Sequence, residues 1–486
     1  MKENLKETID KSLENNIKYI KDVLKNNYDI VYREFAVANK QVALIYIDGL
    51  SDRTLINEFV IENLMTHGTE NSSSDDLIER VIALSDLREV DSLKDGINAF
   101  LSGDPLLLFD GETKGCVLSL RTWANRGVGE PSGEVVVKGP RDGLTEIIRF
   151  NTALIRRRIR DTRFKIVPRV IGERSKTDCA VLYIEDIVNQ NVLDDVNKRL
   201  DNIKIDAVLD SGYIEQLIED NKFSIFPQVQ ATERPDVVAA ALYEGRVAIL
   251  VDNSPFALIV PTTLPLLFQS PDDYNQRWVY ASGVRIIRFI AIILSLITPA
   301  LYVAITSFHT SIIPTKLAYS IAASRNGVPF PAFMEAIIME LSFALLMEAI
   351  VRLPRAIGAT IGIVGGLIIG QAAVSAGIVS PIMVIIVSLT VITSFVTPNY
   401  EVTFAFRIVR FGTIIAATII GLYGIAISML LLCIRLIRLR SFGVSYLSPV
   451  AGMDKSDFKD TFVRFPLNFF KKRPKFMNTE DKIRQK

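Results

Sequence analysis

Phe289-Ile-Ala-Ile-Ile-Leu-Ser-Leu-Ile-Thr-Pro-Ala-Leu-Tyr-Val-Ala-Ile-Thr-Ser-Phe308 contains no charged residue. As a helix it is long enough to cross a bilayer core of about 30 Å. Upstream of residue 280 the chain is charged and reads as soluble α/β; downstream, as far as Cys433, it is a series of apolar segments cut by Gly and Pro. The expected fold class is therefore an α/β soluble N-terminal region of two subdomains followed by an α-helical transmembrane bundle. The pieces are an amphipathic helix (1–30), two α/β units (31–162 and 163–265), a multi-span domain (280–440) and a basic tail (441–486).

Charge and cysteine usage narrow the function. Fifty-five basic residues face fifty-four acidic ones, so no global charge points to nucleic acid. Arg435, Arg438, Arg440, Lys471, Lys472, Arg473 and Lys475 follow the last apolar segment, and a basic flank of this kind marks a cytoplasmic side. Cys116, Cys179 and Cys433 have no paired spacing, which implies neither a disulfide framework nor a zinc site. The first 24 residues lack the apolar core of a signal peptide, so the soluble region is expected in the cytoplasm. No phosphate-binding glycine loop, dinucleotide fingerprint or HExxH is present, and His67 and His309 are the only histidines. Neither an enzyme nor a cofactor nor a metal site is expected.

In the soluble half, Leu5, Ile9, Leu13, Ile17, Ile20 and Leu24 recur at helical spacing. Strands are predicted at 42–47, 106–109, 116–120, 134–137, 164–170, 179–184 and 247–251. Helices are predicted at 54–65, capped by Asp52, and at 192–202 and 213–221, with a polar loop at 67–76. The alternation favours a mixed sheet with helices packed on it. Residues 135–161 read as strand, tight turn and long helix. Leu144, Ile147, Ile148, Leu154, Ile155 and Ile159 supply its buried face, and Arg156, Arg157, Arg158 and Arg160 gather at its C-terminal end. They complement the helix dipole or form an arginine-rich contact to another subunit.

Five apolar segments follow the boundary: 289–308, 332–350, 358–373, 381–397 and 412–433. The second carries Glu335, Glu340 and Glu348. Glu335 suits the helix start, and Glu348 stands four residues before Arg352. Glu340 has no such partner, and a carboxylate at bilayer depth marks a functional or water-lined position unless the segment lies in the interface. The third places Gly358, Gly362, Gly366 and Gly370 at four-residue spacing, a face for close packing within or between subunits or for a ring of helices. Ile361 and Ile368 lie on other faces and suit an apolar constriction. In the fourth, the hydroxyls of Thr390, Thr393, Ser394 and Thr397 serve neighbouring helices or their own backbone. Five crossings would separate the soluble region from the tail; four, with 332–350 re-entrant or interfacial, would keep both in the cytoplasm and are favoured.

Three stretches carry a family resemblance: VVVKGPRDGLTEIIRFNTALIRRRIRD (135–161), SPFALIVPTTLPLLFQSPDDYNQRW (254–278) and RLPRAIGATIGIVGGLIIGQAAVSAGIVSP (352–381). The chain resembles the GerA family of spore germination proteins, A subunit, over nearly its whole length. The resemblance implies a germinant-receptor subunit in the inner membrane of a bacterial endospore, with its soluble region on the spore-core side. It implies work with a transporter-like B subunit, which holds the nutrient, and a lipoprotein C subunit. It also implies a homo-oligomer that conducts ions. A secondary transporter of a small solute and a non-conducting scaffold are the competing readings.

Overall fold

The computed structural model describes residues 6–37, 40–67, 82, 87–121, 129–131, 133–451 and 457–485. The opening helix, α1 (Leu13–Val23), is shorter than its apolar stripe. Asp10 accepts from the Ser12 N–H at 3.0 Å, and Asn16 bonds the Asp10 backbone in both directions. These side-chain bonds offer the backbone an alternative to helix before Ser12, which becomes the cap. Ile9 still joins the core with Leu13, Ile17 and Ile20, from outside the helix; Leu5 lies outside the described residues.

The first sheet contains β1 (Ile30–Val37), β2 (Lys40–Ile47), β3 (Leu87–Val90), β4 (Leu106–Phe109) and β5 (Gly115–Leu118), in the order β1-β2-β4-β5-β3. Alternation along β2 decides its two faces. Ala43, Ile45 and Ile47 pack with α1 and α2 (Leu93–Leu101). Val42 and Leu44 pack with Ile56, Val60 and Leu64. Those three belong to a helical run, Arg53–Leu55, Ile56–Ile61 (π-helical) and Glu62–His67, which Asp52 caps as expected. The expected loop at 67–76 lies, beyond His67, outside the described residues.

The second sheet repeats the plan: β6 (Phe164–Ile171), β7 (Thr177–Ile184), β8 (Gln230–Thr232), β9 (Val247–Val251) and β10 (Ala257–Val260), ordered β6-β7-β9-β10-β8. α3 (Ile148–Arg156) and α6 (Pro235–Tyr243) cover one face, α4 (Gln190–Asp201) and α5 (Ser211–Ile218) the other. Three sequence expectations are corrected here. Every ladder in both sheets is antiparallel, because short hairpins such as β6–β7 and β9–β10 join neighbours directly. No strand forms at 134–137. The helix of 135–161 is confined to Ile148–Arg156, leaving Ile147 exposed, and its Ile148 and Ile155 join the second core rather than the first.

Seven helices follow: α7 (Trp278–Ser307), α8 (Thr315–Ser324), α9 (Ala332–Arg352), α10 (Arg355–Ser375), α11 (Pro381–Ser394), α12 (Tyr400–Ile420) and α13 (Leu422–Arg438). α7 and α12 are long and apolar enough to cross a membrane. The expected single span at 412–433 is broken. Gly421 sits at φ +59° between α12 and α13, a conformation glycine adopts without penalty. A Cβ on Gly424 would come within 2.1 Å of the Ala416 carbonyl oxygen. The break makes a hairpin. Ile425 packs with Ala300, Val303 and Ile414 at the end of the bundle away from the sheets. Leu436 and Leu439 pack with Ile292, Val402 and Phe406 at the end near them. α9 and α11 both begin at the distant end, through Ala332, Ala336 and Met383. α9 and α10 form a second hairpin through Pro354. The chain thus returns to the end of the bundle it left, and the tail packs beside the second sheet unit.

Candidate functional site

Two constellations join what the sequence keeps apart. The first lies where the soluble region meets α7. A short helix, Asp272–Asn275, buries Asp273 beside the first turns of α7. Asp273 accepts from Arg285 Nε at 2.9 Å and from Arg288 Nη1 at 3.0 Å. The tail supplies a second carboxylate: Asp460 accepts from Arg285 Nη1 and from the Tyr274 hydroxyl, at 2.7 and 2.6 Å. Burial, and then the Asp460 charge, hold the Tyr274 phenol well above its ordinary range. Ser282 Oγ on α7 donates to the Arg464 carbonyl and accepts the Arg464 N–H. Charge-assisted bonds among buried partners are short and strong, and removing one partner leaves the others uncompensated.

The tail continues onto the second sheet unit. The Asp481 N–H donates to the Asp186 carbonyl at 3.1 Å, and Arg473 Nε to the Tyr243 carbonyl at 2.8 Å. Just after α13, Ser441 Oγ accepts the Thr262 N–H and donates to the Gln228 carbonyl. The basic tail is therefore a strap that grips the second sheet unit and α7. Arg285 and Arg288, just before the charge-free stretch of α7, form its buckle.

The second constellation lies inside the bundle. Glu340 on α9 and Arg410 on α12 are buried and meet at 3.0 Å. Glu340 thus has a partner, seventy residues away, too distant for local spacing to reveal. The guanidinium Nε and Nη2 of Arg410 have no hydrogen-bond partner among the described residues. Glu335 lies in the first turn of α9, as expected, and also accepts from Arg325 Nε and the Ser380 N–H, tying α8, α9 and α11 together. Glu348 pairs with Arg352 at 2.6 Å on the exposed face, as its spacing predicts. The hydroxyls of Thr390, Thr393 and Ser394 bond their own helix backbone.

The glycine face of α10 divides its contacts. A Cβ on Gly358 or Gly362 would press on Ile350 of α9, at 3.1 and 3.2 Å, and one on Gly370 would touch Val384 of α11. Gly366 faces open space, and Ile361 and Ile368 are exposed. Gly365, which the four-residue spacing skips, packs on Leu346 of α9.

The arginines at the end of α3 are also divided. Arg156, expected at an interface, is fully buried within the chain: it donates to both Asp29 oxygens at 3.1 Å and to the Phe164 carbonyl, joining the two sheets. Arg158 grips Asp142 at 2.6 Å. Arg157 and Arg160 are exposed.

Two sheet units and a bundle of apolar helices, joined by the tail, define an α/β region built onto a helical domain. The sequence matches the family described as Bacillus/Clostridium GerA spore germination protein over residues 18–476. It is 43% identical to spore germination protein B1 of Bacillus subtilis, across 98% of this chain and 100% of that one. It is 41% identical to spore germination protein GerLA of Bacillus cereus, across 96% and 95%. The crystal structure of the N-terminal domain of the A subunit of the Bacillus megaterium spore germinant receptor GerK3 is 34% identical, with a TM-score of 0.41 over 53% of this chain and 97% of that one. The chain belongs to the GerA family of spore germination proteins.

Proposed function

We propose that this chain is the A subunit of a germinant receptor in the spore inner membrane, where it converts nutrient binding on partner subunits into ion release through an oligomer of its helical bundle. Its partners are a transporter-like B subunit and a lipoprotein C subunit, and its sheets face the spore core. The observation that carries this reading is the strap: Asp460 and Asp273 grip Arg285 and Arg288 at the foot of α7. A shift of the sheets cannot leave the bundle unchanged. A ligand moves such an equilibrium only through contacts that differ between two states, and the strap is one such set.

The outward side of α10 supports the oligomer. Gly366 is open and Ile361 and Ile368 are exposed, a small-and-apolar surface suited to a second copy or to a constriction closed by dewetting. The buried Glu340–Arg410 pair is the candidate polar element inside each bundle. Ion flux from liposomes carrying the full chain, with and without the partner subunits, tests the reading. Nutrient-dependent flux with partners present is expected. Uptake of a solute would favour a transporter, and silence in every combination a scaffold. Ile368→Ala should raise leakage in the absence of nutrient if the residue forms the constriction.

A further inference from the structure

Phe223 is 93% exposed, the most exposed large apolar side chain among the described residues. It is held there by a built loop. The Asn221 side chain accepts the Phe223 N–H at 3.1 Å, and Ser224 Oγ accepts the Phe226 N–H and donates to the Phe226 carbonyl. Gln228 closes the base, donating to the Asn221 carbonyl and accepting the Asn221 N–H. Three residues beyond the tip, Phe226 turns inward and meets the ring of Phe406 on α12 edge-on at 5.5 Å. Phe268 bridges Phe406 to Phe289, the residue that opens the charge-free stretch of α7. The loop is therefore linked, through this ring cluster, to the start of the charge-free stretch of α7.

Other exposed aromatic side chains lie toward the sheet end of the bundle. At 30 residues α7 runs about 45 Å, some 15 Å more than a hydrocarbon core. Its first turn accordingly projects into the headgroup region, and Trp278 and Tyr280 there are exposed, as is Tyr400 at the start of α12. Trp and Tyr favour that layer. Lys222, beside Phe223, is exposed and has the charge to meet lipid phosphate. Glu215 on α5 has its carboxyl pushed up to about 8, by burial first and then by Glu401, Glu219 and Asp210. Asp220 is engaged with the Phe442 N–H and Arg199.

We propose that the 221–226 loop is a lipid-docking element: Phe223 enters the headgroup–acyl boundary of the near leaflet and holds the second sheet unit against the membrane. This rests on the reading that the bundle crosses a membrane, and the test separates the two. The full chain, with Cys433→Ser, is reconstituted in vesicles of phosphatidylcholine and phosphatidylglycerol with an environment-sensitive fluorophore on a cysteine at position 223. Matched samples carry it at position 293, on the exposed face of α7, and at position 204, on an exposed polar loop. The expected result is blue-shifted emission at 223, quenched by lipids spin-labelled near the headgroup more than by lipids labelled deep in the chain. Position 293 should be quenched by the deep label and position 204 by neither. Quenching at 293 with a solvent-like spectrum at 223 would overturn the docking and leave the membrane reading intact. A blue shift at 223 without lipid quenching would also overturn it, in favour of a protein neighbour. No quenching at either 223 or 293 would remove the membrane reading itself.

Discussion

Glu340 and Arg410 carry opposite charges into a largely apolar bundle, and their 3.0 Å contact decides whether those charges are tolerable. Removing one partner of a buried pair typically costs about 3–5 kcal/mol, whereas replacing both by apolar groups is often neutral. Glu340→Ala should therefore lower the unfolding transition by about that amount, and Glu340→Leu combined with Arg410→Met should recover most of it. A double-mutant cycle of unfolding in detergent checks both. Ion flux measured on the stable double variant then tells whether the charges matter for conduction apart from folding. A second residue-scale effect concerns pH. Burial pushes the Glu134 carboxyl up to about 7, outweighing the Thr232 hydroxyl and Glu233 N–H that it accepts. The folded state thus holds a proton that the unfolded state releases near 4.5, so this contribution to stability is full below about 4.5 and fades as pH rises through about 7. Glu134→Gln should flatten that slope in an unfolding series across pH 4 to 8, and an unchanged slope would assign the dependence elsewhere.

At the scale of the element, Gly424 is the position at which α13 packs closest on α12 after the turn at Gly421. Because a Cβ there would overlap the Ala416 carbonyl, Gly424→Val should force the backbone apart at a cost of about 3 kcal/mol or more. Gly412→Ala, with nothing within 4 Å, should cost far less. Comparative thermal unfolding of the two tests the hairpin. This element also shows where sequence reading stops. The charge-free stretch 289–308, the strand in β2 and the Asp52 cap were legible because each rests on local pattern. The break at Gly421 was not: apolar residues continue on both sides of it, and only the packing of α13 back along α12 requires a turn. β1 was missed because Arg33 and Glu34 interrupt its apolar run, and β8 because three residues carry too little pattern. The buried pair and the strap escaped for another reason. Their partners lie 70 and 175 residues apart, and no spacing rule reaches that far.

For the whole molecule, the return of the chain to its starting side matters most. It lets a tail that follows the last helix hold the foot of the first, so the sheets, α7 and the tail form one mechanical unit. The glycine-faced helix α10 stands outside that unit, packed on α9 and α11 and open on its other side. On this account the strap transmits and α10 responds. Asp460→Ala removes the tail's carboxylate from Arg285 and Tyr274, while the residue 460 carbonyl still accepts from Arg285 and Asp273 still holds both arginines. The decisive measurement is nutrient-triggered ion release from vesicles containing the complete receptor with this substitution. The account predicts that the receptor assembles and binds nutrient but that release no longer follows; release equal to that of the unaltered receptor would contradict it.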